Sequence, residues 1–129
     1  EVEVLRSIPG ITVTPCDRTF GFVFRMTEEQ KQEAALYYQS RFEAAAKEAV
    51  QGQYDLLILD EILTSCNYGM VRETSVVEFL QNRPEKLEVV LTGRNPSETF
   101  LELADYVSEI CMRRHPYEKG IPARRGIEF

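Results

Sequence analysis

Cysteine and histidine are scarce in this chain. There are three cysteines, Cys16, Cys66 and Cys111, and one histidine, His115. The cysteines are odd in number and far apart, and no C-x-x-C or Cys/His cluster occurs. That argues against a zinc site and against a disulfide framework. Reduced, buried thiols in a cytoplasmic protein are expected instead. His115 precedes Pro116, and the sequence places no Ser or Cys nucleophile beside it, so its expected role is structural. No apolar run approaches the ~20 residues needed to cross a bilayer. Positive charge is in deficit. Fifteen Lys and Arg against 21 Asp and Glu give a net charge of −6, which argues against a general nucleic-acid binder. Internal repeats and low-complexity segments are also missing. What remains is the composition of one soluble globular domain over residues 1–129, large enough for a core.

One stretch organises the chain, Tyr54-Asp55-Leu56-Leu57-Ile58-Leu59-Asp60-Glu61. Four consecutive aliphatics leave no polar face, which predicts a central parallel strand covered on both sides. It stops at two carboxylates. In open α/β sheets, ligands bind outside the carboxyl ends of the strands. Asp60 and Glu61 are therefore candidates for handling a metal or a phosphate, against the plainer possibility of a solvated strand end.

Around that strand the pattern alternates. Residues 1–10 read as a short helix ended by Pro9-Gly10. Ile11–Thr14 reads as a first strand closed by Pro15. Phe20, Phe22 and Phe24 alternate about Gly21. That pattern fits a half-buried strand face, or an aromatic flap against a large flat ligand. Gly21 between the rings marks a bend, which favours the loop. Thr27 to about Gln51 is a helix with a Thr27/Gln30 capping box and an apolar face of Ala35, Tyr38, Phe42, Ala45 and Ala49. Residues 62–71 form an ill-defined connection. A helix follows from Glu73 to Asn82, then a strand over Leu87–Thr92. Asn95, Pro96 and Glu98 read as the N-cap, first turn and capping side chain of a helix 96–105. Thr92-Gly93-Arg94 then lies between a strand end and a helix N-terminus, a place suited to an anion; a surface Arg at a turn is the alternative. Residues 106–112 read as a last strand. The basic, Pro- and Gly-punctuated tail is a binding edge for a negatively charged ligand, or simply a lid. The order predicts α/β with a mainly parallel sheet flanked by helices.

Three segments together resemble one family. They are Leu57-Ile58-Leu59-Asp60-Glu61; Arg83-Pro84-Glu85 with Val89-Val90-Leu91-Thr92-Gly93-Arg94-Asn95; and Glu102–Glu109. They look like the P-loop class of ATP:corrinoid adenosyltransferases. His115-Pro116-Tyr117-Glu118-Lys119-Gly120-Ile121 and Gly126-Ile127-Glu128-Phe129 resemble that family's C-terminal signature.

The resemblance implies a RecA-like fold, a homodimer, and transfer of the 5′-deoxyadenosyl group of ATP to the cobalt of a reduced corrinoid, with release of triphosphate. It implies that Asp60 and Glu61 support Mg²⁺ and ATP, and that Thr92, Gly93 and Arg94 belong to the same site. Gly21-Phe22-Val23-Phe24 is similar to the family's Gly-Phe-Thr-Trp loop, whose aromatics face the corrinoid. Phe22 and Phe24 are then the corrinoid-facing residues, with Phe24 where the family often has Trp. A flavoprotein or other reductant is an implied partner, and neither nucleic acid nor a membrane is. No G-x-x-x-x-G-K-[ST] occurs in the chain. The family's Walker A unit is expected upstream of Glu1, on the order of 30 residues or more. Two other readings stay open. One is a corrinoid-binding module without catalysis. The other is an ordinary RecA-like ATPase that hydrolyses ATP to ADP and phosphate.

Overall fold

The longest element is the helix α2, Glu28–Gln51. Its start is set by side chains. The Thr27 N–H donates to Gln30 Oε1 at 2.9 Å, and the Gln30 N–H donates to Thr27 Oγ1 at 3.3 Å. This is the expected capping box. Gly52 ends the helix at φ −79°, so it is not there for a left-handed turn. A Cβ at Gly52 would fall 2.9 Å from the Glu48 carbonyl oxygen and 2.4 Å from the Tyr54 ring, so glycine relieves crowding at this helix end. The buried face is Ala34, Phe42, Ala46 and Ala49, with Ala35, Tyr38 and Ala45 half-buried.

The computed structural model describes residues 2–14, 16–52 and 54–127. Pro15, expected to close a first strand, and Glu128-Phe129 of the C-terminal signature lie outside the described residues, as do Glu1 and Gln53. A short helix α1, Val2–Arg6, opens the chain. After α2 come β1 (Leu56–Leu59), α3 (Ile62–Asn67), α4 (Glu73–Asn82), β2 (Glu88–Leu91) and α5 (Glu98–Leu103). The strands β1 and β2 pair in parallel, with Leu56 opposite Glu88 and Leu59 opposite Leu91. The expected architecture, α/β with a parallel sheet and helical crossovers, is the one found. Phe42 and Ala46 of α2, Leu59 of β1, Ile62 and Leu63 of α3, Val76 of α4 and Phe100 of α5 form one core with Val71.

Several expectations are corrected. Leu56–Leu59 is not covered on both sides. Leu57 is half-buried and Leu59 buried, whereas Leu56 and Ile58 are 49% and 58% exposed. Side chains alternate across a strand, and the core helices pack on the Leu57/Leu59 face only. Residues 11–14 and 106–112 form no strand. β-branched residues favour an extended backbone, but a strand exists only where a partner supplies the ladder, and among the described residues none does. The connection 62–71 contains the helix α3. Asn95 is not an N-cap: it sits at φ 51°, Ser97 is the N-cap, and the helix starts at Glu98. The Ser97 hydroxyl donates to Glu73 Oε1 at 2.8 Å instead, tying the starts of α5 and α4 together. Cys16 and Cys111 are exposed; only Cys66 is partly buried.

Candidate functional site

The site begins where β1 ends. Asp60 continues the strand direction, and Glu61 turns the chain into α3 from a left-handed conformation, φ 54°. A non-glycine residue there needs support from its surroundings. The end of β2 provides it. The Glu61 N–H donates to Thr92 Oγ1 at 2.8 Å, and the Thr92 hydroxyl donates to Asp60 Oδ1 at 2.7 Å. The Leu63 N–H donates to Thr92 O at 3.2 Å. One threonine thus fixes both acidic residues to the neighbouring strand.

Gly93 follows at φ 139°. A Cβ there would lie 2.7 Å from Leu63 Cβ and 2.9 Å from Thr64 N, so glycine lets the loop close on α3. Arg94 comes next. It is exposed, and no carboxylate among the described residues pairs with it. Four of the expected site residues, Asp60, Glu61, Thr92 and Gly93, therefore meet at the carboxyl ends of two parallel strands, with Arg94 at their edge. The position predicted for Arg94, directly before a helix N-terminus, is not found, because Asn95, Pro96 and Ser97 intervene.

Thr64 and Asn67 belong to this cluster and were not expected. The Thr64 hydroxyl donates to Glu61 Oε2 at 2.6 Å, while the Arg94 N–H donates to Thr64 Oγ1 at 3.3 Å. Asn67 Nδ2 donates to two successive carbonyls, Arg94 O at 2.8 Å and Asn95 O at 3.0 Å. The signal was present as the three-residue spacing Glu61, Thr64, Asn67, which shares one helical face. The low helix propensity of Thr-Ser-Cys-Asn concealed it.

The aromatic segment is a loop with one 3-10 turn over Val23–Arg25. Phe22 and Phe24 stack at 5.3 Å and are 65% and 75% exposed. The Arg25 guanidinium lies 5.7 and 5.5 Å from their centroids. Phe20 is different: it is half-buried against Tyr37 and Tyr38 of α2, at 5.5 and 5.7 Å. The Arg18 guanidinium covers Phe20 at 4.8 Å and pairs with Glu33. The Tyr37 hydroxyl donates to Asp17, which holds the Asp17 carboxyl below the usual carboxylate range and the phenol above its own. The loop is therefore anchored at Asp17–Phe20 and open at Phe22–Phe24. A cavity of about 250 Å³ joins it to α3, with Phe22, Phe24 and Tyr38 on one side and Glu61, Thr64 and Tyr68 on the other.

Other reactive groups stand apart. Burial, with Glu73 nearby, pushes the Cys66 thiol up to about 11, so it is protonated and unreactive near neutrality. His115 Nδ1 accepts the Tyr117 N–H at 3.1 Å and caps the 3-10 turn Pro116–Lys119, a structural role as expected. Among the described residues no three His, Cys, Asp or Glu converge on a metal position. No described helix is long and apolar enough to cross a membrane.

A parallel α/β unit with acids, a hydroxyl and a glycine turn at its strand ends has the layout of a ligand-binding α/β domain. Comparison with known proteins gives the family. Residues 1–129 match the model of the family described as "ATP:corrinoid adenosyltransferase BtuR/CobO/CobP", and the chain belongs to that family. It is 40% identical over 86 residues to a corrinoid adenosyltransferase of Sinorhizobium sp., covering 65% of this chain and 40% of the relative. It is 29% identical over 109 residues to the corrinoid adenosyltransferase of Pseudomonas aeruginosa, covering 84% of this chain and 53% of the relative. The Escherichia coli K12 protein of the same name gives 29% over 109 residues, with coverages of 84% and 55%. The chain thus spans about half the length of these relatives, or less.

Proposed function

We propose that this chain serves an enzyme that transfers the 5′-deoxyadenosyl group of ATP to the cobalt of a reduced corrinoid, releasing triphosphate. One observation carries the proposal: a cavity lined by Phe22 and Phe24 of the exposed loop is also lined by Glu61, the second acid at the strand end. A transfer between two large substrates needs both held in one place, with the reacting atoms in line. The corrinoid cobalt is the nucleophile, so the protein has little covalent chemistry to perform.

Each group then has a task. Phe22 and Phe24 offer apolar faces to the corrin and exclude water from the reacting side. Arg94 faces the triphosphate leaving group as a fixed positive fork. Thr92 and Gly93 hold the strand end close to α3. Asp60 and Glu61 are the candidate Mg²⁺ residues. Asp60 Oδ2 and Glu61 Oε1 accept no hydrogen bond among the described residues, whereas their partner oxygens do. Mg²⁺ is commonly held by one or two carboxylates, with water and phosphate completing its shell, so two acids with free oxygens fit. Bound there, the ion would neutralise charge on the leaving triphosphate. A homodimer, a flavoprotein or other reductant, and a cytoplasmic setting complete the proposal.

The test uses the complete gene product, ATP and reduced corrinoid, with Co–C bond formation followed by absorbance and triphosphate measured as product. Asp60→Asn removes half of the acidic pair and preserves shape. Weaker Mg²⁺-dependent use of ATP with an unchanged melting temperature is expected. An unaltered Mg²⁺ dependence refutes the metal assignment, and release of ADP and phosphate in place of triphosphate refutes the reaction.

A further inference from the structure

Asn67 does nothing for the core. It is exposed at the end of α3. Yet its side-chain amide donates to two consecutive carbonyls of a loop 27 and 28 residues away, Arg94 O at 2.8 Å and Asn95 O at 3.0 Å. That loop needs holding. Gly93 is at φ 139° and Asn95 at φ 51°, so Arg94 lies between two residues in left-handed backbone regions. Thr64, one helical turn before Asn67, accepts the Arg94 N–H at 3.3 Å. Arg94 is thus clamped through its N–H by Thr64 and through its C=O by Asn67. The Arg94 side chain, by contrast, pairs with no carboxylate among the described residues.

An arginine fixed at its backbone, with an exposed guanidinium that meets no carboxylate among the described residues, is presented, not packed. We infer that Asn67 is a positioning residue: it fixes the Gly93–Asn95 loop so that Arg94 faces the polyphosphate of the nucleotide substrate beside Glu61. The inference rests on the proposed ATP-dependent reaction. Its physical basis is preorganisation. A bidentate contact made by an already oriented guanidinium loses less entropy on binding than one made from a mobile loop. Only the two Nδ2 protons serve both carbonyls, and a carboxylate of the same shape has none to give.

The experiment measures binding of inorganic tripolyphosphate to the complete gene product by calorimetry. It compares the parent with Arg94→Ala, Asn67→Ala, Asn67→Asp and the double variant Arg94→Ala/Asn67→Ala. A melt checks that each is folded, and Asn67→Asp keeps the shape of the side chain while removing both donor protons. Arg94→Ala is expected to weaken binding about tenfold, which is ~1.4 kcal/mol. Both Asn67 variants are expected to approach that loss, and the double variant to lose no more than Arg94→Ala alone, because the two residues act as one unit. A merely structural Asn67 would lower the melt and leave binding by the folded protein intact, which overturns the inference. Additive losses in the double variant overturn it too, since Asn67 would then act without Arg94. Unchanged binding in Arg94→Ala fails differently: it removes Arg94 from the phosphate site, and the inference falls with that assignment.

Discussion

Replacing Phe24 by alanine separates ligand contact from core packing. Phe24 is 75% exposed. Full burial of a phenylalanine side chain is worth up to ~3 kcal/mol, so the quarter that is covered here contributes ~0.7 kcal/mol. Stacking on Phe22 and the Arg25 contact add about 0.5 kcal/mol or a little more. The whole loss is then ~1–1.5 kcal/mol, against ~3–5 kcal/mol for truncating a buried Phe. Phe42, 6% exposed and part of the core, supplies the internal control. For a chain of 129 residues, 1 kcal/mol corresponds to roughly 3–6 °C in melting temperature. Phe24→Ala should therefore lower the melt by about 5 °C, and Phe42→Ala by about 15 °C or more. Under the proposed function Phe22 and Phe24 press on the corrin and displace its axial ligand, and the absorption spectrum of the Co(II) corrinoid, paired with the melt, reads that as a four-coordinate species. In Phe24→Ala the four-coordinate signature should be lost, and adenosylation with it, while ATP binding stays near the parent's. A Phe24→Ala protein that melts as low as Phe42→Ala, with a normal Co(II) spectrum, would show that the exposed pair is a packing element and that the corrinoid contact lies elsewhere.

Four further outcomes follow from the same structure. Gly93→Ala should destabilise by ~2 kcal/mol or more, because the residue is at φ 139° with Leu63 and Thr64 in the way; a denaturant titration matching the parent would refute the close approach. Thr92→Val leaves the Glu61 N–H and Asp60 Oδ1 without their partners and should cost ~1–2 kcal/mol with loss of ATP-dependent turnover, both restored by Thr92→Ser; equal turnover in the Val and Ser variants would show that the hydroxyl is idle. Cys66, with its thiol pushed up to about 11, should resist iodoacetamide at pH 8 while the exposed Cys16 and Cys111 react, and rapid labelling of all three by mass spectrometry would contradict it. The folded state keeps the Cys66 proton where the unfolded chain has released it. The stabilising contribution is therefore full below the thiol's ordinary value of 9.0 and is lost as pH rises towards about 11. Cys66→Ala should flatten stability over that alkaline window.

Legibility in the sequence tracked how local each determinant is. The α2 start was readable because a capping box is written in four residues, Thr27 to Gln30. The acids were readable because an apolar run ending in Asp60-Glu61 marks a strand end whatever surrounds it. The partnership of Thr92 with both acids was only half readable. The motif pointed to Thr92-Gly93, but the hydrogen bonds across 31 and 32 residues depend on strand register. The Phe22–Phe24 loop was ambiguous by alternation, and Gly21, at φ 81°, tipped it correctly. Asn95 misled, because Asn before Pro fits an N-cap and fits a left-handed turn equally well. The structure spends it on the turn and gives the cap position to Ser97.

The two missing strands show where such reading stops. Ile11-Thr12-Val13-Thr14 and Tyr106–Met112 have the composition of strands, and neither joins a ladder among the described residues. Leu56–Leu59 has the same composition and is a strand, because Glu88–Leu91 lies beside it. β-propensity describes how a residue fits a pleated, half-buried surface, and the surface must come from elsewhere in the fold. The same dependence governs the burial of β1. Leu57 and Leu59 are covered because Phe42, Val76 and Phe100 stand over that face, while Leu56 and Ile58, one residue away, are not. The Asn67 clamp is the polar counterpart. Asn at a helix end is commonplace, and its meaning arises only when β2 carries Arg94 and Asn95 to within 3.0 Å of it. Local grammar thus fixes where elements start and turn. The chemistry of the site is decided by register between the segment ending at Asn67 and the segment beginning at Thr92.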